Sequence, residues 1–133
     1  MSAVLYDFNI EQGTSFRLAI VYKDKQGKIV DITNWCGRLI WTTNNGTTQI
    51  FTTENTDPSL YDFQIDGPNG KITLLLPASI TNNFNFLNAK YDFELQSDDD
   101  LYVGGGKQII RILYGTVSII KRNSKYNMVL GCQ

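Results

Sequence analysis

Apolar and polar positions alternate along most of this chain with a period of two residues. The first such stretch places Val4, Tyr6, Phe8 and Ile10 on one face. A period of two is typical of a strand with one buried face, because successive side chains of a strand point to opposite sides. Followed along the chain, the pattern predicts strands at residues 4–10, 16–22, 29–32, 38–43, 47–53, 60–65, 71–76, 89–96 and 108–121.

Turn-forming residues separate these stretches. "KDKQGK" (23–28), "NNG" (44–46), "DGPNG" (66–70) and "SDDD" (97–100) are predicted turns, and "PASITNNFN" (77–85) is the best place for a helical turn. Seven to nine short, mostly antiparallel strands with at most one short helical turn predict an all-β fold, a β-sandwich or a Greek-key barrel. We expect a sandwich domain at residues 1–122 and a C-terminal tail at residues 123–133.

The triplet "YDF" occurs three times, at residues 6–8, 61–63 and 91–93. In a strand, the two rings of this triplet lie on one face and the aspartate lies on the other. The intervals between the copies share no period, so we interpret the triplet as core alternation and not as a true repeat.

The longest apolar stretch, at residues 108–121, carries apolar residues on both of its predicted faces. This indicates a strand that is central in its sheet or covered on both sides. Gly115 is a predicted bulge or bend within it. The predicted faces are Ile110, Ile112 and Tyr114 on one side, and Ile109, Arg111 and Leu113 on the other.

The composition argues against several classes of function. Twelve basic and 13 acidic residues give a formal net charge of −1, whereas a nucleic-acid binder needs a basic surplus. Histidine is absent, which removes the commonest general base and metal ligand. No apolar run approaches the roughly 20 residues of a membrane span, and the N-terminus lacks the pattern of a signal peptide. We therefore expect no catalytic residues, cofactor or metal site, and no nucleic acid, membrane or small-molecule substrate as a partner.

Individual residues leave some alternatives open. Cys36 and Cys132 are predicted to be free thiols of a protein made in a reducing cytoplasm, with a disulfide between them as the alternative. The run "SDDD" offers clustered oxygens for calcium but lacks the spacing of an EF-hand loop, so a solvated turn is favoured. Trp35 and Trp41 are candidates for a sugar-binding platform, although Trp41 alternates into a strand face and is predicted to be core.

The order of the motifs resembles that of small β-sandwich structural proteins of tailed phages and prophages, which are tail- or baseplate-associated virion proteins. The similarity covers about residues 4–120. Those proteins usually have glycine at the position of Asn34, and asparagine can replace glycine at positive φ. The matching elements are "YDFNI" (6–10), "EQG" (11–13), the strand at 16–22, the hairpin at 24–27, "DITNW" (31–35), "GKITLLLPASIT" (70–81), "AKYDFELQSDD" (89–99) and "GTVSI" (115–119).

The resemblance implies a β-sandwich with a structural, non-enzymatic role in the virion, in the tail or the baseplate. It also implies other virion structural proteins as partners, a symmetric oligomer in the particle, and synthesis in the cytoplasm of the host bacterium. An apolar cluster follows a polar linker in the tail, and it is expected to pack on a neighbour. Two other functions are considered: a carbohydrate-binding module of a receptor-binding apparatus, and a head or neck decoration protein. The candidate protein-interface residues are Tyr126, Met128, Val129, Leu130 and Trp35.

Overall fold

Two β-sheets pack face to face and bury a core between them. The computed structural model describes residues 3–100 and 107–123 of the chain. Within these ranges the fold has nine strands and one four-residue helix. The elements are β1 (Val4–Leu5), β2 (Phe8–Glu11), β3 (Phe16–Val21), β4 (Cys36–Thr43), β5 (Thr48–Thr52), β6 (Asp62–Asp66), β7 (Lys71–Leu76), α1 (Ala78–Thr81), β8 (Asn88–Asp100) and β9 (Lys107–Ile120).

The larger sheet has the strand order β1-β9-β8-β4-β5, and β2 pairs with β9 beyond the end of β1. Both β1 and β2 run parallel to β9, whereas the other neighbours in this sheet are antiparallel. The smaller sheet is antiparallel and has the order β3-β7-β6. The predicted all-β sandwich is confirmed, and β9 is a central strand.

Alternation along the strands places the apolar side chains between the two sheets. Ile72, Leu74 and Leu76 of β7 are buried on the face that points to the larger sheet. Across the core, the rings of Phe63 in β6 and Phe93 in β8 meet edge to face, with centroids 5.6 Å apart. Burial of one such side chain stabilises the fold by about 1.5–3 kcal/mol.

The phenylalanines of the three "YDF" triplets lie in the core, as the predicted alternation requires. Phe8, Phe63 and Phe93 are all buried. The tyrosines differ, because Tyr91 lies in a central strand and is buried, whereas Tyr6 lies at the sheet edge and is exposed. The predicted strand at 4–10 is in fact divided, since residues 6 and 7 separate β1 from β2.

The predicted strand at 29–32 is wrong. Ile29 forms only an isolated bridge with Lys23. The amide of Val30 then bonds to Tyr22, but the amide of Ile32 bonds to Gly67 in the β6–β7 turn. The segment crosses from the β3 hairpin to another turn, so its hydrogen bonds are divided between two partners and no ladder forms.

The predicted turn at "SDDD" is also wrong. These residues belong to β8, which continues to Asp100 opposite Lys107 of β9. Ser97 is only 2 % exposed, as expected of a residue on the inner face of a strand. The connection between β8 and β9 therefore comes after Asp100, although the composition of the run is typical of a turn.

A β-bulge in β9 lies at Ile112 and not at the predicted Gly115. Phe93 is opposite Leu113, while the next residue of β8, Glu94, is opposite Arg111, so Ile112 is the extra residue. A bulge inverts the alternation of the faces. Leu113 therefore points to the core, and Tyr114 lies on the outer face, which reverses the predicted face of each.

The turn at "DITNW" agrees with the interpretation of Asn34. This residue has a φ of 67°, and within the described ranges it is the one non-glycine residue at positive φ. Its neighbour Thr33 donates two hydrogen bonds to the carboxylate of Asp31, one from the hydroxyl and one from the amide. These bonds lower the pKa of Asp31, the hydroxyl contributing most, and they hold the turn in shape.

Candidate protein interface

The two sheets differ in width, and this leaves part of the larger sheet uncovered. The larger sheet is five strands across, whereas the smaller sheet has three. Near β4 and β5, the rings of Phe84 and Phe86 pack on Trp41, with centroids 5.5 and 5.7 Å away. On the opposite side, β3 is the last strand of the smaller sheet, and an open groove separates it from β9.

We call this feature the edge groove. It has a volume of about 210 Å³, and a second hollow extends it along β9 as far as Gln108. Val4 forms one end of the groove and is 60 % exposed. The groove is lined by Val4, Ile20, Val21, Tyr22, Lys23, Ile110, Arg111, Ile112 and Leu113.

The backbone beside the edge groove has unpaired strand edges. Within the described ranges, β3 pairs with β7 alone. The amide of Tyr22 bonds to Gly70 on the β7 side, so the amides of Ala19 and Val21 point away from β7, towards the open edge. On the other side of the groove, β1 begins to pair with β9 only at Leu113, and within the described residues no strand pairs with this side of β9 at residues 108–112. Such edges can accept a further strand.

Aromatic contacts close the side of the sandwich below the groove. The rings of Phe8 and Phe16 stack 5.3 Å apart and join the edges of the two sheets. Tyr91 packs against Phe8 at 5.0 Å, and its hydroxyl donates a hydrogen bond to the carbonyl of Tyr6. Burial, then the charge of Asp7 and the proximity of Tyr6, raises the pKa of Tyr91 above its usual range. The groove therefore ends at a packed junction.

Trp35 lies behind the wall of the groove. It is half-buried and packs against the core, and its ring is 6.2 Å from that of Tyr22. Burial raises the pKa of Tyr22. Trp35 thus contacts a residue that lines the groove. Trp41 is buried in the core, as predicted. The other candidate interface residues, Tyr126, Met128, Val129 and Leu130, lie outside the described residues.

The outer face of the larger sheet carries ion pairs. The Nε of Arg38 is 2.7 Å from Oε1 of Glu94, and Nη1 of Arg111 is 3.1 Å from Oδ1 of Asp92. The Arg111 guanidinium also lies 4.8 Å above the ring of Tyr114. Ion pairs at or near the surface contribute about 0–1 kcal/mol each, so these pairs add little to the stability of the fold.

Metal and thiol chemistry have few candidate positions here. In residues 3–100 and 107–123, no three histidine, cysteine, aspartate or glutamate side chains lie close enough together to hold a metal ion. Cys36 is a free, half-buried thiol at a hollow of about 120 Å³ beside Arg38 and Glu94. Cys132 lies outside the described residues. No helix in those ranges is long and apolar enough to cross a membrane.

The sequence patterns did not identify the edge groove. Val4, Ile110 and Ile112 lie in predicted strands, and their alternation indicates buried positions. Whether such a residue is covered depends on the strand opposite it in the other sheet. The unequal number of strands in the two sheets indicates such a groove. That number cannot be read from the sequence, because it follows only from the pairing of the strands.

Neither a protein-family model nor a curated protein matches the chain.

Proposed function

We propose that this chain is a non-enzymatic structural component of a tailed-phage virion, in the tail or the baseplate, and that it acts through protein–protein contacts. The edge groove is the observation that supports the contacts. It joins a mainly apolar lining to an edge of β3 that no strand pairs with in the described part of the chain, and both are features of surfaces that bind an extended segment. The assignment to a virion rests on the resemblance of the ordered motifs to phage structural proteins.

The motifs that carry the resemblance meet one another in the fold. Gln12 of "EQG" donates its side-chain amide to the carbonyls of Asn82 and Phe84, just after α1. The amide of Gly13 donates to the hydroxyl of Thr81, which ends "GKITLLLPASIT". These motifs hold the junction between β2, β3 and α1. They have a structural role, which accords with a protein that works as an assembly unit.

The test is to measure the mass of the purified protein in solution, first alone and then after mixing with virion particles that lack it. We expect a defined ring, or a monomer that binds the particles in stoichiometric amounts. Val4→Asp places a charge in the groove and should reduce this association. Leu87→Asp is the matched control, because Leu87 is also 60 % exposed but does not line the groove.

Two results would contradict the proposal. One is a monomer that ignores the particles and binds a glycan panel, which would favour the carbohydrate-binding module. The other is an equal effect of the two aspartate variants on binding to the particles, which would show that the groove does not contribute to assembly. Binding to heads or necks, and not to tails, would move the protein to the decoration class.

A further inference from the structure

We infer that the edge groove binds the C-terminal segment at residues 126–130 of a second copy of this chain. The inference rests on the proposed assembly role, and it names the surface and the segment through which copies join. The segment would lie beside β3 as a fourth strand of the smaller sheet. Its inward side chains would then cover the exposed part of the larger sheet.

The geometry of the smaller sheet favours an added strand at this edge. The amides of Ala19 and Val21 point away from β7, as the bond from Tyr22 to Gly70 requires. A strand placed there would satisfy these donors and extend the sheet across the groove. The side chains on its inner face would point to the larger sheet, where the lining is apolar.

The sequence of the segment matches this environment. Tyr126, Met128 and Leu130 occupy alternate positions, so one face of a strand would present all three. Asn127 and Val129 would lie on the other face. The inward set would meet the side chains of Val4, Ile110, Ile112 and Leu113.

The segment of the same copy is too short to lie along the length of this groove. Arg122 is held at the far end of β9, because its amide bonds to Gln12 and its guanidinium to Asn82. The nearest groove residue on β9, Leu113, precedes Ile120 by seven residues, a distance of about 23 Å along a strand. Tyr126 follows the last described residue by three positions and extends at most about 10 Å from it. A segment that fills the groove lengthwise must therefore come from another copy.

Crosslinking between two populations of the full chain tests this inference. Both populations carry Cys36→Ser and Cys132→Ser, so that each has a single engineered thiol. The first carries Val4→Cys in the groove, and the second carries Met128→Cys together with a mass tag. The populations are mixed and treated with a short bismaleimide, and a parallel mixture replaces Val4→Cys with Leu87→Cys.

We expect the Val4–Met128 product to exceed the Leu87–Met128 product several times over, and to increase with protein concentration. Equal yields from the two mixtures would overturn the inference. In a single chain that carries both Val4→Cys and Met128→Cys, the links should form between chains and not within one. A predominant link within one chain would show that the segment reaches its own groove, and it too would overturn the inference.

The result is independent of the particle-binding assay. If crosslinking to the groove fails but particles still bind the protein, the assembly role stands and the arrangement between copies is wrong. If crosslinking succeeds but particles do not bind the protein, the arrangement stands and the place in the virion is wrong.

Discussion

The carboxylate of Asp7 accepts a 2.8 Å hydrogen bond from the backbone amide of Thr116. Asp7 lies between β1 and β2, where the ladder with β9 is interrupted. The register is the same on both sides of the break, because Val4 is opposite Leu113 and Phe8 is opposite Val117. The side chain thus replaces a missing backbone acceptor and allows the edge to continue in one register.

Removal of this carboxylate should weaken the edge strand. We expect Asp7→Ala to reduce the free energy of unfolding by about 1 kcal/mol, the usual contribution of one hydrogen bond. Asp62→Ala is a matched control from the second "YDF" triplet, since among the described residues its carboxylate accepts hydrogen bonds only from the side chain of Gln64. Urea denaturation measures both changes, and equal losses would contradict the role of Asp7.

Gly115 is required because the edge strand approaches it closely. A Cβ atom at this position would lie 2.5 Å from the carbonyl oxygen of Tyr6 and 2.6 Å from Oδ1 of Asp7. We expect Gly115→Ala to cost more than about 2 kcal/mol, since the backbone of the neighbouring strand must move.

Gly46 provides the comparison for Gly115. Gly46 has a φ of 85°, but a Cβ there would meet no atom within 4 Å. Gly46→Ala should therefore show only the backbone cost of a left-handed conformation, about 1–2 kcal/mol. Thermal unfolding of the two variants gives the difference, and a smaller loss for Gly115→Ala would contradict the close approach.

The stability of the fold should depend on Tyr91 above pH 10. The ordinary pKa of tyrosine is 10.0, and burial raises the pKa of Tyr91 in the folded state. Below about pH 10 the group is neutral in both states, so it adds no pH dependence. At higher pH the unfolded chain loses this proton and the folded chain keeps it, so stability falls as the pH rises.

Tyr91→Phe removes the titrating group along with its hydrogen bond to Tyr6. At neutral pH we expect the variant to be less stable by about 1 kcal/mol, because the bond from the Tyr91 hydroxyl to the carbonyl of Tyr6 is lost. Above about pH 10 this difference in the free energy of unfolding should become smaller, because only the unmodified chain loses the stability that Tyr91 contributes. Urea denaturation at several pH values measures the difference, and a difference that does not change with pH would contradict the raised pKa.

Thr81 should stabilise the junction between α1 and the turn that precedes β3. It is fully buried, and its hydroxyl donates to the carbonyl of Thr14 at 2.7 Å and accepts from the amide of Gly13 at 3.1 Å. Thr81→Val keeps the shape but leaves both partners unpaired, so we expect a loss of about 2 kcal/mol.

Thr42→Val is the control for this substitution. Thr42 lies on the exposed outer face of β4, where its hydroxyl is 3.3 Å from that of Thr48. Its replacement should change the free energy of unfolding by less than about 0.5 kcal/mol. A Thr81→Val protein as stable as the Thr42→Val protein, measured by urea denaturation, would rule out the role of the hydroxyl.

Local alternation predicted the strands well where turn residues bound them on both sides. The strand predicted at 71–76 is β7, and the one predicted at 16–22 is β3 with one residue fewer. The failures have a common cause in the pairing between segments, which the local pattern of one segment does not contain. The run that includes Ser97 is polar, but its backbone pairs with β9. The bulge at Ile112 likewise depends on the register of β8 against β9.

The sequence by itself determined the fold class, the burial of the three "YDF" phenylalanines and the position of Trp41, because each follows from the period of two in a strand. The tertiary structure alone decided which apolar residues remain uncovered. Val4 and Phe8 share one face of the edge strand, yet Phe8 stacks on Phe16 and Val4 lies beyond the cover of the smaller sheet. Coverage depends on how many strands each layer contains and where they cross, and these are properties of contacts between segments that are far apart in the chain.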